Sequence, residues 1–433
     1  MTSLPGPRKR EGAGRGNASK ALRHRNYRLF LAGEVVSDTG TWMQRVAEDW
    51  IVLELTGSTF AVGITMALQS VPLLLFGLWG GLIADRLPKR GVLLATQSLM
   101  GALSGVLALL AFTGDIRVWH VYLIAALLGV LIAVDIPTRQ AFVTELVGRE
   151  GVSAALGLNS AAGQLAKVTG PAVAGVLIAG VGGSWAMAFN AGTYLCVVLA
   201  LLLMRKRDLR AGPRAARARK QVRAGLRYVS GQPGLVIPIS MAAAVGTFGY
   251  NFPVFLSSFT KTVFGRGPEA YGLLTTLLAL GSLCGALAAA RRTEVRPAML
   301  TGAALCFGIL EVAASLSPSF VLFCALLTCT GLCGMLFTSG VSATLQLASD
   351  MQMRGRVVSL YVLVLNGSTA IGGPLIGWLA AASDPRVALA AGGTTSILAA
   401  VGASAWHRRI AARPTPGPTG GGTVESRLDD QSR

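Results

Sequence analysis

The chain has 433 residues, of which 52% are hydrophobic and 14% are charged, and its formal net charge is +19. A soluble globular domain carries about 25% charged residues, so this composition excludes an ordinary water-soluble protein. The basic residues lie in short segments between long apolar runs. This distribution is typical of membrane-protein loops, so the positive charge does not indicate nucleic-acid binding.

Twelve apolar segments follow one another along the chain, and each is long enough to cross a bilayer as a helix. The period-two alternation of a membrane β-barrel is absent, and an open sheet cannot satisfy its backbone in lipid. We therefore predict an all-α polytopic membrane protein with twelve transmembrane helices, at about 27–54, 60–83, 91–112, 118–141, 152–178, 184–204, 235–259, 270–290, 298–316, 320–347, 357–381 and 387–406.

The most basic connection lies in the middle of the chain and divides the predicted spans into two six-helix halves. Two such halves match the plan of two-lobed transporters. We expect a disordered basic tail at 1–26, an amino-terminal half at 27–204, a basic linker at 205–234, a carboxy-terminal half at 235–406 and a disordered tail at 407–433. Within the linker, the segment from Arg217 to Val229 is predicted to form a short surface helix.

Lysine and arginine are concentrated on one side of the predicted membrane, which includes both ends of the chain and the linker. Basic loops of this kind remain in the cytoplasm during insertion. We therefore expect a multi-pass protein of the cell membrane (inner or plasma) with both termini in the cytoplasm.

Predicted helix 1 carries an unusual charged stripe, whose members fall within an arc of about 100°: Glu34, Asp38, Arg45, Glu48 and Asp49. A charge that faces lipid costs at least ~2.5 kcal/mol, so the stripe should face the protein interior or an aqueous cavity. A reversible proton carrier needs a carboxyl group that can be both charged and neutral. Asp38 lies closest to mid-span and is the first candidate, ahead of Glu34 and Asp49.

The alternative interpretation of the stripe is structural. Arg45 can form an ion pair with Glu48, Asp49 or an acid of another helix. Glu48 and Asp49 at one membrane surface, and Glu34 at the other, can also be simply solvated.

The connection between predicted helices 2 and 3 contains the most specific motif, with Gly81, Asp85, Arg86, Lys89 and Arg90. Glycine permits close helix approach. Asp85 can accept hydrogen bonds from a helix amino terminus or pair with a cation, and the arginines can form ion pairs at the cytoplasmic face. The corresponding place in the second half, Gly285 to Arg292, has no Asp. The motif predicts a gating latch in the first half.

Predicted helices 4 and 5 add intramembrane cations. The spacing of Asp135 and Arg139 allows an i,i+4 pair. Lys167 lies in mid-span and needs either a carboxylate partner on helix 1 or an anionic substrate. Helix 5 also carries a Gly-Pro packing motif that recurs in helix 11, and the positions are Gly170, Pro171 and Gly175 in the first half and Gly373, Pro374 and Gly377 in the second.

Predicted helix 7 is interrupted by glycine and proline, so it can bend and line a cavity. Its aromatic residues Phe248, Tyr250 and Phe252, together with Trp42 of helix 1, are candidates for contact with a flat or lipophilic substrate. The alternative for each is ordinary packing.

The Gly81–Arg90 segment resembles the signature loop of the major facilitator superfamily. Four further segments resemble its secretion-effector group, which includes the enterobactin exporter and macrolide efflux pumps: Arg25–Phe30, Gly40–Gln44, Leu55–Ser58 and Pro137–Ala141. The resemblance implies the major facilitator fold and export of a small organic molecule driven by the proton gradient.

The chain is thus predicted to be a secondary active transporter, with a small molecule, protons and the lipid bilayer as partners, and to act as a monomer. No cofactor or metal site is expected, because the cysteines lack metal-ligand spacing and no phosphate-binding loop is present. Two other transport modes remain open, namely metabolite uptake and lysolipid movement. A membrane-embedded enzyme is disfavoured, because no catalytic cluster is recognisable.

Overall fold

The computed structural model describes residues 21–209, 221–291 and 297–411, and within these ranges the regular structure is entirely helical. The amino-terminal half contains α1 (Arg25–Thr56), α2 (Thr59–Arg86), α3 (Lys89–Thr113), α4 (Val118–Gly148), α5 (Glu150–Val181) and α6 (Gly183–Leu203). The carboxy-terminal half contains α7 (Gln221–Ser230), α8 (Pro233–Phe248), α9 (Phe252–Ser258), α10 (Pro268–Ala290), α11 (Pro297–Ser315), α12 (Phe320–Ala348), α13 (Arg354–Ala382) and α14 (Pro385–Ala411).

Among the described residues, 11 helices are long and apolar enough to cross a membrane, with α8, α9 and the following π-helical turn Phe259–Val263 forming one span. The twelfth span is α1, whose charged residues lower its hydropathy although it is 32 residues long. It packs against α6 and the α4–α5 pair inside its half. Large apolar side chains such as Val176 and Leu109 are exposed, as a lipid-facing surface requires. The predicted all-α, twelve-span fold is confirmed.

Two glycines with positive φ set the direction of the first half. Gly57 (φ 64°) ends α1, and Gly148 (φ 71°) breaks the path between α4 and α5. Residues with a Cβ rarely adopt this left-handed conformation. The two glycines therefore allow sharp reversals where the chain must re-enter the membrane.

Helical structure extends into both predicted tails. Residues 25 and 26 already belong to α1, and Asn26 exchanges two hydrogen bonds with the backbone of Arg205, at 2.9 and 3.1 Å. At the other end, α14 continues to Ala411. Residues 1–20 and 412–433 lie outside the described residues, so the expected disorder of those parts stays a prediction.

The linker includes the short helix α7, which overlaps the predicted helix from Arg217 to Val229; positions 210–220 lie outside the described residues. Tyr228 of α7 donates a hydrogen bond to Asp350 Oδ2 at 2.9 Å, just before α13. This contact fixes α7 to the carboxy-terminal half.

We call the end of the bundle that carries the linker and the α2–α3 turn the linker end, and the end that carries the α1–α2 turn the far end. Three hydrogen bonds join the two halves within the described parts of the chain, and all lie toward the far end: Thr59 Oγ1 to Gly377 O (2.9 Å), Lys261 Nζ to Leu53 O (3.1 Å) and Tyr271 Oη to Asp49 Oδ2 (2.9 Å).

The predicted packing glycines lie where helices meet closely. A Cβ on Gly175 would lie 3.0 Å from Gly272 Cα, and a Cβ on Gly373 would lie 2.9 Å from Gly63 O. Gly377 faces the Thr59 backbone in the same way, and these three contacts join the two halves. Gly170 instead packs inside the first half, against Trp42. The structure therefore has the far end closed by backbone contact.

Candidate functional site

An arginine in α4 gathers three carboxylates. Arg139 Nη1 donates to Glu34 and to Asp38 Oδ1 (3.2 Å), both from α1, while Nε and Nη2 donate to Asp135 Oδ2 at 3.0 and 2.6 Å. The i,i+4 pair of Asp135 and Arg139 is therefore present in the structure. The α1 partners were not foreseen, because helix periodicity gives the face of a helix but not the residue opposite it.

The three carboxylates are held to different degrees. Asp135 is buried, and its other oxygen accepts hydrogen bonds from Thr96 Oγ1 (2.7 Å) and Gln97 Nε2 (2.9 Å) of α3. Glu34 is also buried, and its Oε1 has no hydrogen-bond partner among the described residues. The Asp38 side chain is 32% exposed and has only the 3.2 Å contact. Asp38 is the least restrained of the three.

A cavity of about 390 Å³ lies beside this cluster. Trp42 and Tyr194 are aromatic residues in its lining. The charged part of the lining consists of three acids and three cations, namely Glu34, Asp38, Asp135, Arg45, Arg139 and Lys167. A second cavity of about 620 Å³ lies at the linker end of the other half, and Thr338, Ser342, Gln346 and Arg354 contribute to its lining.

Two cations in the first cavity do not form the predicted ion pairs. The Arg45 guanidinium lies 4.9 Å and Lys167 Nζ lies 5.6 Å from the centroid of the Trp42 ring. Neither has a carboxylate oxygen within 4.0 Å in the described part of the chain. The ion pairs considered for Arg45, and the α1 carboxylate partner of Lys167, are therefore absent from the described part of the chain, and contact of Lys167 with an anionic substrate stays a prediction. Both cations contact the indole ring instead.

Glu48 belongs to a separate buried network. Its two oxygens accept hydrogen bonds from Gln44 Nε2 (2.6 Å) and Gln69 Nε2 (3.0 Å), and Asn190 Nδ2 donates to Gln44 Oε1 at 2.6 Å. Glu48 is 1% exposed. The alternative that it is simply solvated at a surface is therefore wrong, and the same holds for buried Glu34 and Asp49.

Asp49 faces the other half of the protein. Its Oδ2 accepts the hydrogen bond from Tyr271 of α10, whose ring stacks on Trp50 with a centroid distance of 6.0 Å. The predicted stripe of α1 thus divides among three surroundings. Glu34, Asp38 and Arg45 line the cavity, Glu48 joins the amide network, and Asp49 lies at the interface.

The predicted gating motif is partly engaged. Lys89 forms an ion pair with Glu145 of α4 (2.8 Å), and Arg90 donates to the carbonyl oxygens of Leu201 and Leu202 at 2.8 and 3.2 Å. Asp85 and Arg86 are exposed, and neither side chain has a hydrogen bond or ion pair to another described residue.

The close helix approach predicted at Gly81 occurs instead at the preceding residue, Gly80. A Cβ on Gly81 would have nothing within 4 Å, whereas one on Gly80 would collide with the Ala133 carbonyl of α4. Gly80 is the packing position because it faces α4.

The aromatic residues of predicted helix 7, which corresponds to α8 and α9 in the structure, do not line the cavity beside Arg139. Trp42 does line it. Tyr250 Oη donates to Gly334 O at 2.6 Å, and its ring stacks on Phe307 at 5.2 Å. Phe252 meets Phe307 edge to face, and Phe248 packs into the apolar core. Ordinary packing, the alternative given for each of these residues, describes their surroundings.

Sequence inspection missed Glu311 of α11. It is fully buried, and neither of its oxygens has a hydrogen-bond partner among the described residues. It lies in the carboxy-terminal half, one turn beyond Phe307. A single acid within an apolar span was the signal that could have identified it.

A family model that describes transmembrane secretion effectors matches residues 17–412 of this chain. The chain belongs to the transmembrane secretion effector family. It is therefore a transporter of the major facilitator superfamily and not an enzyme.

Two relatives of this secretion effector match most of its length. The multidrug efflux pump Tap of Mycolicibacterium fortuitum is 26% identical over 82% of this chain and 89% of its own. The enterobactin exporter EntS of Shigella flexneri is 25% identical over 87% of this chain and 90% of its own. Among solved structures, a bacterial homologue of the human lysosomal transporter Spinster aligns with a TM-score of 0.72 and 16% identity, covering 91% of this chain and 99% of its own. At that identity the structural match supports the fold alone.

Proposed function

We propose that this secretion effector is a proton-coupled exporter of a small organic molecule, such as a drug, an antibiotic or a siderophore-like compound. The observation that carries the proposal is the convergence of Glu34, Asp38 and Asp135 on Arg139 at the wall of a cavity. One guanidinium can balance the charge of only one of three carboxylates. A group that exchanges protons with the cavity therefore fits this cluster.

Asp38 is the best candidate for the exchanging group, because it has the longest contact with Arg139 and the largest exposure. Asp135 is held by two α3 side chains and by Nε and Nη2 of Arg139, so its role is to position Arg139. Glu34 and Asp49 remain second candidates for proton exchange.

Export is supported by the names of relatives, namely a multidrug efflux pump and an enterobactin exporter. The basic connections favour a cytoplasmic linker end. With the halves joined at the far end, both cavities would then be reached from the cytoplasm, which is where an exported molecule binds. We also retain the proposal of a functional monomer, because the cavity is formed within one chain.

Replacing Asp38 by asparagine is expected to abolish gradient-driven export, because the amide imitates a permanently protonated carboxyl. Substrate exchange without a gradient should persist. A compound identified by susceptibility profiling of a deletion strain is the probe, and its efflux from proteoliposomes is measured with and without a pH gradient. Asp115→Asn, an exposed change at the far end, is the matched control. Wild-type efflux by Asp38→Asn would remove Asp38 from the mechanism. Gradient-driven movement into the cytoplasm would favour uptake instead.

Asp85→Asn is expected to slow transport severalfold while leaving the amount of membrane protein unchanged. With the far end closed, Asp85 has no hydrogen-bond or ion-pair partner among the described residues, so its charge is available for contacts formed when the linker end closes. Efflux rates at matched protein amounts, again with Asp115→Asn as control, test this role. Full activity of Asp85→Asn would show that the carboxylate has no part in gating.

A further inference from the structure

The interface between the halves contains one carboxyl group removed from water. Asp49 is 5% exposed and its partner Tyr271 is 1% exposed. Their hydrogen bond is the one bond between two side chains, among the described residues, that crosses from one half to the other. It exists only while the far end is closed, because opening that end separates α1 from α10.

The charged groups near Asp49 do not neutralise it. Besides the neutral Tyr271, the titratable residues of its own helix nearby in sequence, of the start of α10 and of the π-helical turn after α9 are Arg45, Glu48, Glu54, Glu269 and Lys261. None of the cations lies within 4.0 Å of the Asp49 carboxylate in the described part of the chain. Lys261 binds the Leu53 carbonyl, and Arg45 contacts Trp42. Burying an unpaired carboxylate costs far more than burying a neutral carboxyl.

We propose that Asp49 is a second proton-binding site, loaded from the far-end medium, and that Tyr271 is the positioning residue that receives it when the halves close. With the far end open, Asp49 faces water and is charged. Closure is favoured once a proton binds, and the Tyr271 hydroxyl then holds the carboxyl at the interface. This inference extends the proposed proton coupling by giving the entry point of the proton.

A small void lies between Glu48 and the cavity beside Arg139. Glu48 adjoins Asp49 in sequence and borders a void of about 20 Å³, which also touches Arg45 and Tyr194. Those two residues line the larger cavity as well. A void of this size holds about one water molecule. Polar space therefore links Glu48, the neighbour of Asp49 in the sequence, with residues that line the cavity beside Arg139.

The test measures closure directly and requires no transported compound. Spin labels are placed at Thr113 and Ser383, exposed far-end positions in opposite halves, in a background with the native cysteines replaced. Distances are recorded in lipid nanodiscs at about pH 8 and about pH 5.5, which differ several hundredfold in proton concentration and lie above the ordinary titration range of an aspartate. Wild type should shift toward the short, closed distance at the lower pH, because closure takes up a proton.

Asp49→Asn should be closed at both pH values, since its side chain is always neutral. Tyr271→Phe should be open at high pH and closed at low pH, because a bound proton still removes the cost of burying a charged carboxylate. Tyr122→Phe, which removes a hydroxyl bonded to Ala61 within one half, should match wild type.

A wild-type pH response in Asp49→Asn would overturn the proposal, as would a wild-type distribution that ignores pH. If Tyr271→Phe is open at both pH values, the hydrogen bond between Tyr271 and Asp49 is a structural contact independent of proton binding, and the proposal is overturned as well. Failure of gradient-driven export is a separate result, obtained in proteoliposomes, and would contradict the proposed function without altering these distances.

Discussion

Arg139→Gln is expected to abolish transport and to lower the amount of folded protein in the membrane. The substitution leaves Glu34, Asp38 and Asp135 together without their shared cation, and two of the three are buried. Removing one partner of a buried ion pair typically costs about 3–5 kcal/mol. The expected loss is therefore larger than for any single acid of the cluster.

Lysine at this position should retain the fold but not the function. Its single ammonium keeps the charge, yet it cannot reproduce a fork that binds Asp135 twice while reaching Glu34 and Asp38. The double variant Arg139→Gln, Glu34→Gln should recover protein amount, because one buried charge is removed with the cation, but not transport.

The measurements are the monodisperse fraction and melting temperature in detergent, and efflux at matched protein amounts. Arg227→Gln, at an exposed arginine of α7, is the matched control and should behave as wild type. Wild-type amount and transport in Arg139→Gln would contradict a central role for the cluster.

Gly175→Val is expected to prevent closure of the far end and to reduce transport to a few per cent of wild type or less, by the steric cost of overpacking. A Cβ at this position would meet Gly272 Cα at 3.0 Å and Glu269 O at 3.2 Å, and both belong to the other half. Backbone cannot move aside as a flexible side chain can. Each half should still fold, because the clash arises only where the halves meet.

Gly180→Val is the matched control, since it lies on the same helix and a Cβ there would meet nothing within 4 Å. The label pair at Thr113 and Ser383 should report the open distance in Gly175→Val at every pH, and the wild-type distribution in Gly180→Val. Normal closure and transport in Gly175→Val would show that the contact between α5 and α10 is not needed for the cycle.

The sequence predicted the fold well because the membrane imposes strong rules on length, polarity and loop charge. Helix α1 is the span that hydropathy identifies least well, because it carries several charged residues. These charges are tolerated because α1 lies inside the bundle and not against lipid. The break between α8 and α9, at residues 249–251, could also be predicted, because Gly249 and Pro253 interrupt that span.

The partners of each charge could not be predicted, because they depend on which helices are neighbours and at what register. Asp38 and Asp49 are eleven residues apart on one helix, yet one contacts Arg139 and the other meets Tyr271 of the opposite half. Charge alone suggested ion pairs for Arg45 and Lys167, whereas both cations lie over the Trp42 ring and have no carboxylate oxygen within 4.0 Å in the described part of the chain. Glu311 escaped notice although it is a single acid within an apolar span.

The six charged groups of the cavity all come from α1, α4 and α5. The carboxy-terminal half contacts the amino-terminal half through Tyr271, Lys261, glycines and backbone carbonyls. The two halves thus contribute different groups to the structure, and their sequences can diverge at different rates. A chimera that keeps residues up to the linker and takes the second half from a relative would keep all six charged groups of this cavity, but Asp49 would need an equivalent of Tyr271. Changes in the second half can therefore alter the cavity lined by Thr338 and Arg354 without altering the charged lining of the first cavity.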